Sequence, residues 1–183
     1  LNHCYSRSGQ DLKVGDSGMR KGHLIGGISI ANRLIMAPIL GASAANHTKL
    51  QILGGYFTHK EQELALRQRK QECRDQLDKL QDLLLKLLQL PSDKRNPETL
   101  QKIKLIRTKH LEESKLLAEQ LEAAQEELPK LMAEMAIIAT QRVFSGVEVE
   151  MAHYHCRVDI EHGPIHFAIR EDQVQLTPYV PQK

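Results

Sequence analysis

The spacing of apolar positions divides the chain into three segments. Residues 1–55 contain short apolar runs separated by glycine, such as HLIGGISI and RLIMAPILG, which are typical of short strands joined by turns. Residues 56–135 carry apolar positions at helical spacing instead. Residues 136–183 return to the alternation of strands, as in GVEVEM, where Val147, Val149 and Met151 share one face. The pattern therefore predicts an α+β protein in which a helical segment is inserted between two β segments.

The middle segment predicts two helices separated by a short break. Thr58–Glu61 has the form of a capping box, and Pro91 disfavours helical geometry in the residue before it. Asn96 followed by Pro97 favours the start of a second helix. The first apolar stripe consists of Leu66, Cys73, Leu77, Leu80, Leu84 and Leu87, with heptad spacing. The second consists of Ile103, Ile106, His110, Ser114, Leu117, Leu121, Ala124 and Leu128.

The two stripes match each other when the chain is folded back at the break. Leu66 then lies opposite Leu121, Cys73 opposite Ser114, and Leu77 opposite His110. The same register places a basic cluster level with an acidic one: Arg67, Arg69, Lys70 and Arg74 against Glu112, Glu113, Glu119 and Glu122. We predict an antiparallel coiled-coil hairpin over residues 56–135, with arms of roughly 50 Å. Its tip is at residues 91–96, and Pro129 lies at its base.

The two β segments are predicted to pack on each other. The uneven turns of residues 1–55 indicate the coils of a β-solenoid, each burying a small apolar face on the next, with an irregular sandwich edge as the alternative. Residues 136–183 are predicted to form an antiparallel meander with turns at Glu161–Pro164 and Arg170–Asp172. This tail would pack back on residues 1–55.

Composition narrows the class of protein. The chain has 183 residues, 4% aromatic residues and no Trp, which fits a small domain with an extended coiled coil. The net charge of +2 does not favour nucleic acid. No apolar run approaches the roughly 20 residues of a membrane span, and no signal peptide is visible. Three widely spaced cysteines indicate a reducing, cytoplasmic compartment. Because the chain begins at Leu1 and not at Met, we expect a fragment of a longer protein.

Three stretches resemble the flagellar assembly protein A (FapA) family over residues 21–175. They are GGISIAN at Gly26–Asn32, MAPILGASAANHTKLQI at Met36–Ile52, and VFSGVEV at Val143–Val149. Ala31 and Ala44 stand where the family often has glycine or another small residue. The resemblance implies a right-handed, single-stranded β-helix bearing a protruding coiled coil. It also implies a bacterial cytoplasmic protein of flagellar assembly or its regulation, a C-terminal part of the family's chain, and no catalytic residues or cofactor.

Two classes of function remain open at this point. The first is a non-catalytic scaffold whose hairpin binds a flagellar or regulatory protein through Lys94, Arg95, Lys102 and Lys104, with self-association through the β-helix. A solvated coiled-coil face is the alternative interpretation of these lysines. The second class is a metal- or ligand-binding protein that uses the tail histidines His153, His155, His162 and His166, which otherwise are polar residues of a solvent-facing meander. His110 is interpreted as a polar residue in the helix seam that fixes the register of the two helices. The alternative is that it is a ligand.

Overall fold

The computed structural model describes residues 1–15, 21–43, 47–91 and 96–180. In chain order the elements are β1 (Asn2–Arg7), β2 (Asp11–Lys13), β3 (His23–Ala31), β4 (Leu34–Leu40), β5 (Thr48–Ile52), α1 (Tyr56–Gln89), α2 (Pro97–Glu134), β6 (Ala136–Val143), β7 (Val147–Met151), β8 (Tyr154–Arg157), β9 (Ile165–Arg170) and β10 (Gln173–Pro178). They divide into two compact units. The β unit comprises Leu1–Phe57 and Leu128–Lys183, and the hairpin unit comprises Thr58–Glu127.

The β unit is a mixed, nearly closed sheet. Its strands follow the order β10-β9-β6-β4-β3-β5-β7-β8, with β1 beside β3 and β2 beside β4. The two ends of this order, β10 and β8, also contact each other. Parallel partners recur at a nearly constant separation along the chain: Asn2 pairs with Ile25 and Gly27 with Thr48. Such stacking of successive turns of chain agrees with the glycine-punctuated pattern of residues 1–55.

The core of the β unit is built from alternate positions of these strands. In β7, Val147, Val149 and Met151 are buried while Glu148 and Glu150 are not, as the alternation predicts. The other fully buried large side chains include Ile35, Leu40, Leu50, Ile52, Ile137 and Phe167. Tyr56 and Met135, which flank the helical insertion, belong to the same core. The ends of the insertion are therefore anchored by apolar burial.

The helices are inserted at a corner of the stacked strands. In the preceding turn of chain, Asn32 and Arg33 alone connect β3 to β4. The Leu53 amide donates to the Ala31 carbonyl at 3.2 Å, and the Ala136 amide donates to the Arg33 carbonyl at 2.9 Å. Gly54 lies between these anchors with a φ of +49°, and a Cβ there would lie 2.8 Å from the backbone oxygen of Asn32. Only glycine fits this position without a shift of the backbone.

The tail differs from the predicted meander in how its strands pair. β6 and β7 pair in parallel with β4 and β5, so both continue the stack. The antiparallel arrangement begins at β8, which pairs with β7, while β9 pairs with β6 and β10 with β9. The predicted turn at Arg170–Asp172 is present between β9 and β10. Alternation assigns the faces of a strand but not the direction of its neighbour, which explains the difference.

The hairpin unit consists of two long helices packed side by side in opposite directions. Glu63 contacts Gln125, Arg69 contacts Glu113, and Cys73 contacts His110, so contacts advance along α1 as they recede along α2. Cys73 and Leu117, both on the predicted stripes, are buried. This confirms the predicted helical hairpin. Of its predicted tip, residues 92–95 lie outside the described part of the chain.

The helix boundaries confirm some signals of the sequence and correct others. The Asn96 side chain accepts hydrogen bonds from the amides of Glu98 and Thr99, which confirms the predicted cap of α2. The predicted cap at Thr58 is wrong, because α1 already begins at Tyr56. Pro129 lies two residues beyond the end of the hairpin unit at Glu127, as predicted for its base, but the helix itself does not end there and α2 runs on to Glu134. Helix beyond the proline places Met132 against the β core, and this burial offsets the one missing backbone hydrogen bond.

Candidate functional sites in the hairpin and the tail

A group of metal-ligating side chains joins the two helices in the hairpin. The Cys73 thiol of α1 donates to the His110 carbonyl at 3.2 Å, and its Sγ lies 3.9 Å from Nδ1 of the same histidine. Nδ1 of His110 in turn lies 3.5 Å from Oε2 of Glu113. The Arg69 guanidinium binds the other oxygen of Glu113 at 3.0 Å. Burial, and then the Glu113 carboxylate, raises the pKa of the Cys73 thiol.

The sequence did not bring these three residues together. It placed Cys73 opposite Ser114 and Leu77 opposite His110. In a helix the carbonyl of residue 110 accepts a hydrogen bond from the amide of residue 114. Cys73, which contacts the His110 carbonyl, therefore lies close to its predicted partner Ser114. The imidazole of His110, however, lies beside Cys73. The signal that was available is the spacing of three residues between His110 and Glu113, which puts both side chains on one helix face.

A buried carboxylate crosses the hairpin closer to its open end. Glu63 has 7% exposure and accepts hydrogen bonds from Lys60 at 2.9 Å, Arg67 at 2.6 Å and, across the helix pair, Gln125 at 3.3 Å. The hydrogen bond from Lys60 is the main factor that lowers the pKa of Glu63. This fully paired group contributes to holding the helices in register.

The basic residues predicted to bind a partner are only partly within the described chain. Lys102 and Lys104 lie near the start of α2 and are exposed. Lys94 and Arg95 lie outside the described residues. Because the side chains of Lys102 and Lys104 are exposed, their ammonium groups are available to an acidic surface. They therefore stay candidates for electrostatic steering.

Exposed leucines and isoleucines are a second feature of the same part of the hairpin. Seven of them lie in the half nearer to residues 91–96: Leu83 (48%), Leu85 (53%), Leu88 (52%), Leu90 (40%), Leu105 (59%), Ile106 (44%) and Leu111 (41%). Ile106 was predicted to lie in the seam between the helices, and its exposure corrects that assignment. At 100° per residue, Leu83 and Leu90 share one face of α1 and Leu85 and Leu88 another. Apolar surface therefore surrounds this end of α1.

The tail histidines occupy separate environments. His153 lies in the turn before β8, where its ring stacks on Tyr56 (5.1 Å between centroids) and is tilted against Tyr154 (3.8 Å). His155 lies in β8, with Nδ1 4.0 Å from Glu150. The two residues therefore do not lie on one strand, and their imidazoles have different neighbours.

His162 and His166 complete the set of tail histidines. His162 bridges to Val143 through backbone hydrogen bonds, and His166 lies in β9 opposite Ile138. Burial, and then the charge of Arg170, lowers the pKa of His166, which favours the neutral imidazole. Over residues 1–15, 21–43, 47–91 and 96–180, the one group of three or more close metal-ligating atoms is Cys73, His110 and Glu113. The tail thus offers single imidazoles to a ligand.

The sequence was compared with models of protein families, with curated proteins and with solved structures. The FapA family model, described as the Flagellar Assembly Protein A beta solenoid domain, matches residues 1–174. No curated protein and no solved structure matches the chain. Within the described part of the chain, no helix combines the length and the apolar character that crossing a membrane requires.

Proposed function

Because the chain belongs to the flagellar assembly protein A family, we propose that it is a scaffold protein of flagellar assembly or its regulation. It acts in the bacterial cytoplasm, without catalysis and without a catalytic cofactor. The β unit, with right-handed single-stranded coils, is the body of the scaffold. The helical hairpin binds a protein partner. The observation that carries this proposal is the apolar surface near residues 91–96 of the hairpin.

That surface is not needed for the two helices to pair. Pairing of two helices requires one apolar stripe on each. In this half of α1 the stripe consists of four partly buried leucines, Leu77, Leu80, Leu84 and Leu87. Leu85 and Leu88 lie outside this stripe, with about half of each side chain exposed. Apolar surface left in water costs roughly 25 cal/mol per Å² relative to burial, and concentrated patches of it are typical of protein-binding sites. A partner that covers Leu85 and Leu88 would recover this free energy.

The lysines near the same end add charge to the apolar surface. Lys102 and Lys104, together with Lys94 and Arg95 of the connection, favour a partner with an acidic rim. Such charges accelerate encounter and weaken with salt, whereas apolar contacts persist. The partner is therefore expected to combine an apolar groove with carboxylates at its edge. Self-association through the β unit would use β1 and β2, which lie beside one strand each.

The experiment is capture of partners from a lysate of a flagellated bacterium by the immobilised full chain and matched variants. L85E/L88E should abolish capture, while L64E, at a leucine with 67% exposure toward the other end of α1, should leave it unchanged. K102E/K104E should slow association at low salt by about tenfold. The control K115E changes an exposed lysine further along α2. Circular dichroism of each variant verifies that helicity is retained.

The expected pattern distinguishes the hairpin from the β unit as the binding element. Capture that falls with rising salt while helicity persists supports steering by the lysines. A chain lacking residues 64–123 should bind no partner. If it retains full capture, the hairpin is not the docking element, and the proposal must be transferred to the β unit.

A further inference from the structure

The hairpin contains a cluster of potential metal ligands around Cys73 that the proposed function does not use. A thiol, an imidazole and a carboxylate meet between the two helices, and their ligand atoms lie within 4.8 Å of one another. Cys73 comes from α1, while His110 and Glu113 come from α2. The thiol has 5% exposure and is the most buried cysteine of the chain.

The distances match those that a tetrahedral zinc ion imposes. With ordinary Zn–S, Zn–N and Zn–O bond lengths, two ligands are separated by about 3.6 Å for sulfur and nitrogen and about 3.4 Å for nitrogen and oxygen. Here Sγ of Cys73 lies 3.9 Å from Nδ1 of His110, and Nδ1 lies 3.5 Å from Oε2 of Glu113. Both separations are within a few tenths of an ångström of the tetrahedral values, and Sγ and the carboxylate also lie within 4.8 Å of each other.

We propose that Cys73, His110 and Glu113 bind one zinc ion, through Sγ, Nδ1 and a carboxylate oxygen, with water as the fourth ligand. Zinc accepts all three donor types, whereas Mg²⁺ and Ca²⁺ prefer oxygen alone. The ion displaces the thiol proton to solvent, because the thiolate is the ligand. It takes the place of the Cys73 hydrogen bond to the His110 carbonyl. The result is a link between α1 and α2 near the middle of the hairpin.

The residues around Cys73 and His110 favour metal binding over a role that only fixes the register of the helices. Fixing the register requires only the hydrogen bond between Cys73 and the His110 carbonyl. It does not require a carboxylate three residues from His110 whose Oε2 faces the imidazole. Arg69 holds Oε1 of Glu113 at 3.0 Å, and such outer partners orient metal-binding carboxylates. Carboxylates and histidines three residues apart, in the order Glu-x-x-His, hold metals in helical bundles, and His110 and Glu113 have the same spacing in the reverse order.

The test is titration of the full chain with zinc alone, in competition with a chromophoric chelator. One ion should bind per chain, and C73S, H110Q and E113Q should each weaken binding by at least about tenfold. C4S and C156S are the matched controls, because they change the two other free cysteines and should leave affinity unchanged. With Co²⁺ as the probe, the wild-type chain should show thiolate-to-metal charge-transfer absorption, which C73S alone among the cysteine variants removes.

A second measurement needs no variant of the hairpin. Zinc should raise the melting temperature of the helical signal of the wild-type chain, and a chelator should reverse the shift, because the ion binds the folded hairpin preferentially. Absence of zinc binding to the wild-type chain overturns the proposal. Equal affinity of wild type and C73S, with helicity intact, overturns it too. Binding that H153Q or H155Q abolishes would assign the metal to the tail instead.

Discussion

Replacement of Leu117 by alanine should destabilise the hairpin strongly, whereas the same change at Leu116 should not. The two leucines are consecutive in α2, but Leu117 has 4% exposure and Leu116 has 54%. Truncation of Leu117 removes buried carbons worth roughly 0.8 kcal/mol each and leaves a cavity, so we expect a loss of about 3 kcal/mol. Truncation of the exposed Leu116 should cost at most about 0.5 kcal/mol. The difference measures the packing of the helix pair.

The chain offers a separate probe for each unit. Its four tyrosines are Tyr5, Tyr56, Tyr154 and Tyr179, and all of them lie in the β unit. Because the chain has no Trp, tyrosine fluorescence reports on the β unit. Circular dichroism of the helical signal reports mainly on the hairpin. Urea unfolding of both variants, followed by both signals, gives the free energy of unfolding of each unit.

Two results would refute this reasoning. Equal losses for L117A and L116A would mean that the seam between the helices contributes nothing beyond helix propensity. An equal shift of the tyrosine and helical transitions in L117A would show that the two units unfold as one cooperative body. The expected result is a helical transition at lower urea and a tyrosine transition that moves by clearly less.

Two further predictions concern the corner of the β unit and the buried carboxylate. Gly54→Ala at the corner should lower the free energy of unfolding of the β unit by at least about 1 kcal/mol more than Gly146→Ala, because the new Cβ at position 54 meets the Asn32 carbonyl and Met135. Gly146 has a φ of +83° with open space around it, so Gly146→Ala is the control and should cost about 1 kcal/mol. Tyrosine fluorescence in urea measures both. The lowered pKa of Glu63 stabilises the hairpin at pH values above the unfolded-state pKa of the carboxyl, and this stabilisation is lost as pH falls through the folded-state pKa. Helical unfolding of Glu63→Gln should therefore show less loss of stability on acidification than that of wild type or of the exposed control Glu61→Gln, and equal pH dependence of all three would contradict the assignment.

The hairpin could be predicted from the sequence because its signals are local. The heptad spacing of Leu66, Cys73 and Leu77 identifies the buried stripe of α1, and Asn96 caps α2 as expected. What local signals do not fix is the exact level of one helix against the other. A displacement smaller than one helical turn decides whether the imidazole of His110 meets Leu77 or Cys73. The metal-ligating group was missed for this reason.

The pairing of the β strands was less accessible to sequence reasoning. Alternation in β7 correctly assigned Val149 to the core, and the turn at Arg170–Asp172 was also correct. The parallel partners of β6 and β7, by contrast, precede the helices in the chain. No pattern within Ala136–Met151 indicates that Leu34 and Thr48 are its neighbours. Partners so distant in sequence are selected by tertiary packing and not by local preference.

The corner at Ala31–Arg33 explains how the β unit tolerates an insertion of this length. A flexible loop in place of a two-residue connection would cost about 0.6 kcal/mol of closure free energy for each doubling of its length. Here the chain leaves and re-enters the sheet through hydrogen bonds to the same corner, from Leu53 to Ala31 and from Ala136 to Arg33. Tyr56 and Met135 are buried just inside these bonds. The antiparallel helices return the chain to its point of departure, so β5 and β6 stack on β3 and β4 as though a tight turn still joined them.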